Sequence, residues 1–501
     1  MRNLLILLFL VLNSFKSYAK KETSMIRVSG STQAFLFQPT KLKSYQQYSF
    51  IHLFLEPLIN ISKTGLIEGG VASSWEIKEH GKKYVFNIDK NAKFHDGKKI
   101  TSMDVAFSLC QHLDPELDSL LKVYLETILE NSIYNKKSKI CKSIRSVDID
   151  TLELSLKGPY PPLLSDLAQP GFGIIPRDFK ELNPIGSGPY KLDSMSENNF
   201  IKLALSKDYW RDLPKNKVFT FEIIREKQDI LKAFFENRID VSLGAPIDLV
   251  EGGRPSDIDF QYINGMVSTN MYINGKSSIF ENTNLRKDFN QLMNIFRKNK
   301  DLYTRYDIPI FSYLPNGIMP SFYYKRDIID LSIKDFKKKH KHIINKKVKI
   351  IIPKHIFTDR FLSKFKEAIS EIGFIATYIE EKGKAYLDPI EQGGFDLVFI
   401  PFMGIGSDPD GYLAMLDPNG FLKKSNIQTN DLINKLAKIR FNENQEYRLN
   451  EYGKALKEFE ETSIVIPIVQ QHLPFLFRKG IQVPDFNFNN HTILRDFFWN
   501  K

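Results

Sequence analysis

Histidine and aspartate stand side by side at His95-Asp96, just ahead of Gly97. Such a pair could exchange a proton or hold a metal. Either role needs a third partner, and none lies close by in sequence. Asp-Gly tolerates the positive φ of a tight turn, so the tripeptide reads as a hairpin. His340 and His342 could bind metal weakly, but no cysteine or carboxylate framework surrounds them. No metal site and no cofactor are therefore expected. The chain has no Gly-x-Ser-x-Gly elbow, no His-Glu-x-x-His and no Cys–His pair at a persuasive spacing, which speaks against an enzyme. The single Gly186-x-Gly188 pair is a weak phosphate signal. It reads better as a tight turn, with Pro189 fixing φ before a strand at Tyr190–Leu192. Cys110 and Cys141 stand 31 positions apart. They form either a disulfide, contributing about 3 kcal/mol through chain entropy, or two buried thiols.

The elements that position these residues can be read along the chain. Val71–Leu109 (VASSWEIKEHGKKYVFNIDKNAKFHDGKKITSMDVAFSL) gives a strand around Trp75–Ile77, a turn at His80–Gly81 and a strand at Lys83–Ile88. After the Asp96–Gly97 turn, Thr101 with Asp104 three residues on forms a capping-box pattern that opens a helix. Further strands are expected at Met25–Ser29, Val147–Leu156, Ile239–Ser242, Met266–Asn274, Val348–Ile352, Phe395–Ile400 and Ile464–Gln471. Helices are expected at Tyr48–Leu58, Gln228–Glu236, Leu285–Phe296 and Asp359–Ile372. Strand–helix–strand order in the second half implies parallel pairing through a crossover helix.

At 501 residues, with 42% hydrophobic and 26% charged positions, the chain should hold two or three globular domains. Residues 1–19 read as a secretory leader: Arg2, the apolar run Leu4–Leu12, and a small-x-small site at Ser17-Tyr18-Ala19. Nine apolar residues are too few to span a bilayer, which needs roughly 20. No cysteine lies near the cleavage site, so no lipid anchor is offered. A mature protein beginning near Lys20 should be free in an exported compartment, most simply a periplasm. Net charge is +11, falling to +9 once Arg2 and Lys16 leave. The lysines are dispersed among acids, except in the run Lys334–Lys349 (KDFKKKHKHIINKKVK), which reads as a solvated helix and loop leading into a strand. No nucleic-acid partner is expected.

The stretch at Val71–Leu109 resembles the signature of the family 5 extracellular solute-binding proteins, the peptide- and nickel-binding receptors of ABC importers. The likeness is carried by Ala72, Trp75–Glu76, Tyr84, Phe86, Lys93–Gly97, Thr101, Asp104–Val105 and Phe107–Ser108. Asn183–Leu192 (NPIGSGPYKL) is similar to a second family signature. Gly158–Leu164, Asp208–Trp210 and Phe395–Met415 (FDLVFIPFMGIGSDPDGYLAM) continue the resemblance. It implies an α/β fold, a two-lobed periplasmic binding protein (type II, cluster C) with an extra N-terminal subdomain. Residues 20–47, 172–268 and 472–501 would form lobe I, 48–171 an inserted subdomain and 269–471 lobe II. The lobes would close about a two-strand hinge on a peptide-like or other small solute, and a monomer would deliver it to an inner-membrane permease. A solute sensor or scaffold signalling to a membrane partner is the alternative on the same fold.

The resemblance also assigns wall residues. Lys43 and Tyr45 fall beside an extended ligand, where Lys43 either meets an anion or faces water, and Thr269 and Met271 on the hinge side are placed facing the cleft. Phe402 takes the place of the family's tryptophan, with Met403 next to it. In peptide-binding members, an aspartate three residues before the Asp-Pro pair meets the peptide's α-ammonium. Here that place is Ile405, which cannot pair with a charge. Asp408 either substitutes as the anion or caps the following helix, as Asp410 also could. A buried ammonium without a counter-charge costs several kcal/mol, so free-amine peptides would bind poorly.

Overall fold

The computed structural model describes residues 24–30, 35–62, 64–196, 200–224, 226–244, 256–304, 307–318, 329–354, 356–404, 408–413, 416, 430–483 and 493–500. The leader at 1–19 and Ile405 lie outside the described residues.

Strand β1 (Met25–Gly30) begins lobe I. Helix α1 (Tyr45–Phe54) starts three residues before the expected Tyr48, because Ser44 opens it. The Ser44 hydroxyl accepts from the Gln47 N–H, and the Gln47 side chain accepts from the Ser44 N–H at 3.0 Å, the reciprocal pattern of a capping box.

The inserted subdomain follows. It is built on β2 (Ala72–Lys78), β3 (Lys83–Ile88), α2 (Ser102–Cys110), β4 (Ile144–Ser146) and β5 (Thr151–Ser155). The four strands form an antiparallel sheet in the order β2-β3-β5-β4. Thr101 and Asp104 cap α2 as their spacing predicts. The strand expected over Val147–Leu156 is instead a hairpin. Asp148 turns the chain by accepting from the Asp150 N–H at 2.9 Å, and the Val147 N–H donates to the Thr151 carbonyl. Cys110, at the end of α2, is disulfide-bonded to Cys141 with Cα atoms 5.6 Å apart.

Both lobes share one eleven-stranded mixed sheet. Lobe I contributes β6 (Tyr190–Met195), β7 (Ile201–Leu205), β8 (Val218–Ile223), α3 (Lys227–Phe235) and β9 (Val241–Ser242). Strand β10 (Ile258–Ile273) crosses into lobe II, which holds α4 (Thr283–Leu292), α5 (Ile333–Lys339), β11 (Lys347–Pro353) and α6 (Asp359–Ile372). Then come β12 (Ile375–Glu381), β13 (Leu397–Met403), α7 (Asn430–Arg440) and α8 (Gln445–Glu461), before β14 (Val465–Arg478) returns to lobe I. The sheet order is β6-β7-β8-β1-β9-β14-β10-β13-β11-β12, with Ile308–Pro309 bonded to β14.

Strands β10 and β14 pair antiparallel along nearly their whole length, with register shifts between Ile263 and Val267 and between Thr269 and Asn270. In lobe II, β11 pairs parallel with β12 through the crossover helix α6, as strand–helix–strand order requires. Three main apolar cores result. One draws on residues from Leu58 to Ile174. Another combines Ile26–Leu55 with Ile175–Leu243 and Phe475–Phe497. The largest spans Met271 to Val469.

Candidate functional site

The two signature segments meet. His95 lies between the two glycines of the Gly186-Ser187-Gly188 turn. Its backbone N–H donates to the Gly186 carbonyl at 2.9 Å, and its Nδ1 accepts from the Gly186 N–H at 3.1 Å. With Nδ1 so engaged, Nε2 carries the proton and donates to the Gly188 carbonyl at 2.9 Å. Burial lowers the imidazole to about 4, so the ring is neutral. His95 is a structural clamp between subdomain and lobe I, and neither ring nitrogen is free for catalysis or metal.

A second polar cluster lies where the subdomain faces lobe II. Beyond the end of β13, Asp408 and Asp410 flank the start of a short helix, Pro409–Leu413. Asp408 accepts from the Asp410 N–H at 3.0 Å and so caps that turn. Its two oxygens also receive both terminal nitrogens of Arg448, one at 3.1 Å. Asp410 pairs with Arg440 Nε at 2.5 Å and accepts from the Tyr452 hydroxyl at 3.1 Å. Arg448 and Tyr452 stand four residues apart on α8, hence on one helix face.

Opposite them the subdomain supplies Asp166, which accepts from the hydroxyls of Tyr124 at 2.7 Å and Tyr160 at 3.2 Å. Burial raises the Asp166 carboxyl well above its usual range, and the charges of Asp408 and Asp410 raise it further. Burial also raises Asp408, against the pull of Arg448. The cluster thus sets Asp408 and Asp410 against the guanidiniums of Arg448 and Arg440, with Asp166 facing them across the contact. Asp166 Oδ1 and Arg448 Nε are buried without a hydrogen-bond partner. Gly158 of the subdomain is packed against Phe441: a Cβ there would lie 2.6 Å from the Phe441 Cβ. His80 faces Glu443 at 4.0 Å. Subdomain and lobe II are therefore in contact.

The residues expected to line the cleft are only partly brought together. Phe402 and Met403 are half-buried at the end of β13, with the Phe402 ring edge-on to Tyr412 at 6.2 Å. Tyr45 is half-buried at the start of α1 beside Gly244, and burial pushes its phenol up to about 12. Lys43 lies at the surface, the water-facing of its two alternatives, where its Nζ pairs with Asp118 Oδ2 at 2.9 Å. Met271 does not face the cleft. It is 0% exposed within the lobe II core, because its register opposite Phe399 turns it inward. Thr269, on the same face of β10, is also fully buried, and its hydroxyl donates to Gln471 Oε1 at 2.6 Å. Asp408 is 8% exposed and already paired with Arg448, so it is a capping and ion-pair residue, not a vacant anion.

Arg440, Arg448, Tyr452, Tyr124 and Asp166 do not stand out in the sequence, and Tyr160 does so only within the Gly158–Leu164 resemblance. Only the Arg448–Tyr452 spacing gave a local signal. Glu56 falls within the expected helix Tyr48–Leu58, but α1 ends at Phe54. Glu56 is fully buried, accepting from the Tyr209 hydroxyl at 2.8 Å, with Arg211 and Arg495 at 3.7 and 3.6 Å. Among the described residues, no group of three or more His, Cys, Asp or Glu side chains could hold a metal.

Two lobes on one sheet, joined by paired crossing strands, have the architecture of a solute-binding protein. In such sheets ligands sit at the carboxyl ends of the strands. Residues 67–421 match the family model described as "Bacterial extracellular solute-binding proteins, family 5 Middle", and the chain belongs to that family. It is a binding protein and not an enzyme. The chain is similar to the periplasmic oligopeptide-binding protein OppA of Escherichia coli K12, 23% identical over 487 residues, covering 90% of this chain and 87% of that protein. Among solved structures it resembles the periplasmic binding protein DppA from Helicobacter pylori in complex with the peptide STSA. The TM-score is 0.80 at 18% identity, over 95% of this chain and 98% of that one. AgaA of A. tumefaciens R10, in complex with agropinic acid, aligns with TM-score 0.76 at 18% identity, over 94% and 96%.

Proposed function

We propose that this chain is the periplasmic receptor of an ABC importer. It captures a peptide-like solute between its lobes and hands it, as a monomer freed of residues 1–19, to an inner-membrane permease. The family match over residues 67–421 is the observation that carries this reading. The paired crossing strands supply a hinge, and the contact of Gly158 with Phe441 is a closed-state contact. Relatives named as periplasmic oligopeptide-binding proteins support the compartment and the solute class, and no helix among the described residues is long and apolar enough to cross a membrane.

The solute we infer lacks a free α-ammonium. Ile405 stands where peptide-binding members keep an aspartate. The nearby carboxylates Asp408 and Asp410 are spent on Arg448 and Arg440. An incoming ammonium would have to break one of these pairs, at a cost of several kcal/mol. Native mass spectrometry of the mature protein, purified from its exported compartment, tests this before and after gentle unfolding. A co-purified N-blocked peptide or amine-free solute is the expected result. Free-amine peptides in that fraction refute the reading of Ile405. An empty protein that no member of a peptide and metabolite library stabilises refutes the receptor assignment.

A further inference from the structure

The lysine run reads from sequence as a solvated face, but the structure gives it a shape. Helix α5 buries Phe336 against Phe289, with ring centroids 6.0 Å apart, and anchors His340 to Asp288 at 2.8 Å. That anchorage turns Lys334, Lys337, Lys338 and Lys341 outward. They rim a groove of about 770 Å³ whose floor is Ile333 and Ile344, with Glu371 the one acid lining it. Ile344 rests on Gly373, whose φ of +98° caps α6. Next to it the chain enters β12 at Ile375, a large apolar side chain left 52% exposed. Lys346 and Lys347 are exposed beside the groove. None of these six lysines forms a salt bridge among the described residues, whereas Lys339 pairs with Asp288 at 3.3 Å.

The position of this face separates it from the solute cleft. Strands β11, β12 and β13 run parallel. The cleft residues Phe402 and Met403 sit at the carboxyl end of β13. The basic face lies around Lys347 and Ile375, at the amino ends of β11 and β12. A seven-residue strand spans about 20 Å, so closing the lobes neither buries nor neutralises these lysines.

We propose that this far pole of lobe II docks the protein on an anionic phospholipid surface. Six unpaired ammonium groups spread over α5, the turn after it and the start of β11 match a diffuse array of headgroup phosphates. Lysine is suited to that role because it acts as a flexible point charge, whereas a shaped protein partner favours the fixed fork of arginine. The exposed Ile344 and Ile375, with the half-buried Ile333 beneath them, supply the apolar contact that an interfacial face adds to its charges. Docking by this pole leaves the cleft unobstructed, and it confines the search for a membrane partner to two dimensions.

The test is co-sedimentation of the full mature chain with vesicles of phosphatidylcholine alone or mixed with phosphatidylglycerol, without any solute. Failure here is therefore distinct from failure of the receptor reading. The wild type should bind only the anionic vesicles and be released by salt. The combined variant Lys337→Ala, Lys338→Ala, Lys341→Ala should bind roughly a hundred-fold more weakly, about five-fold per lysine, with an unchanged melting temperature. As a control, Lys90→Ala, Lys93→Ala, Lys99→Ala removes as much charge from the subdomain and should lower binding by no more than a few-fold. Equal losses in the two variants would show simple net-charge attraction and overturn the proposal. A wild type that ignores anionic vesicles overturns it too, leaving the groove to an acidic protein segment.

Discussion

Replacing His95 by glutamine should remove a specific part of the protein's pH sensitivity. Glutamine keeps an acceptor for the Gly186 N–H and a donor for the Gly188 carbonyl but cannot titrate. In the folded protein the imidazole is lowered to about 4 from an ordinary 6.5. As pH falls below 6.5, the unfolded chain takes up this proton while the folded protein does not, so stability drains away until pH reaches about 4. At 1.36 kcal/mol per pKa unit, the loss across that window is about 3 kcal/mol. His112, also buried and lowered to about 4, contributes a loss of the same sign, but equally in both proteins. Urea unfolding of the wild type and His95→Gln at pH 7, 6, 5 and 4 isolates the His95 part. The wild type should be the more stable at pH 7, and its advantage should shrink by about 3 kcal/mol by pH 4. A difference between the two proteins that stays constant across this range would refute the clamp and its neutral ring.

Two further changes test the subdomain. Gly158→Ala places a methyl group 2.6 Å from Phe441 Cβ, so the subdomain and lobe II can no longer close fully. Solution scattering should show a larger radius of gyration in the presence of the co-purified solute, and solute affinity should fall; unchanged values for both would sink the closed-contact assignment. Reducing the Cys110–Cys141 bond, which closes a loop across 31 positions, should destabilise the protein by about 3–4 kcal/mol in the chain-entropy model. Denaturant melts with and without reductant measure this, and coincident curves would contradict it.

Local chemistry was legible in the sequence where neighbours decide it. The turn at Asp96–Gly97, the Thr101–Asp104 cap and the bounds of α6 follow from residues a few positions apart. The Ser44–Gln47 cap follows the same rule, and its pattern was there to be read. What escaped sequence reasoning was set by pairs distant along the chain. Nothing near His95 announces that its partners are 91 and 93 residues away. Nothing near Asp408 announces Arg448, 40 residues on. Met271 failed for a different reason: this strand is buried on both faces, with the polar Ser268, Thr269 and Asn270 as buried as Met271, so no polar–apolar alternation fixed its phase. The family signatures were read correctly as fold markers. Their role as facing halves of one clamp is tertiary, and only the fold displays it.

The lobes are joined by β10 and β14, two strands of one sheet bonded to each other. Flexible tethers would let each lobe tumble independently; a shared ladder of hydrogen bonds resists every motion except a bend or twist, for which the shift between Ile263 and Val267 is the natural place. Lobe II can then travel along essentially one arc. Every solute, whatever its chemistry, is met by the same two walls in the same alignment at the end of that arc. Substitutions on the walls can change what is held without altering the swing, so one mechanical frame can be passed between very different cargoes.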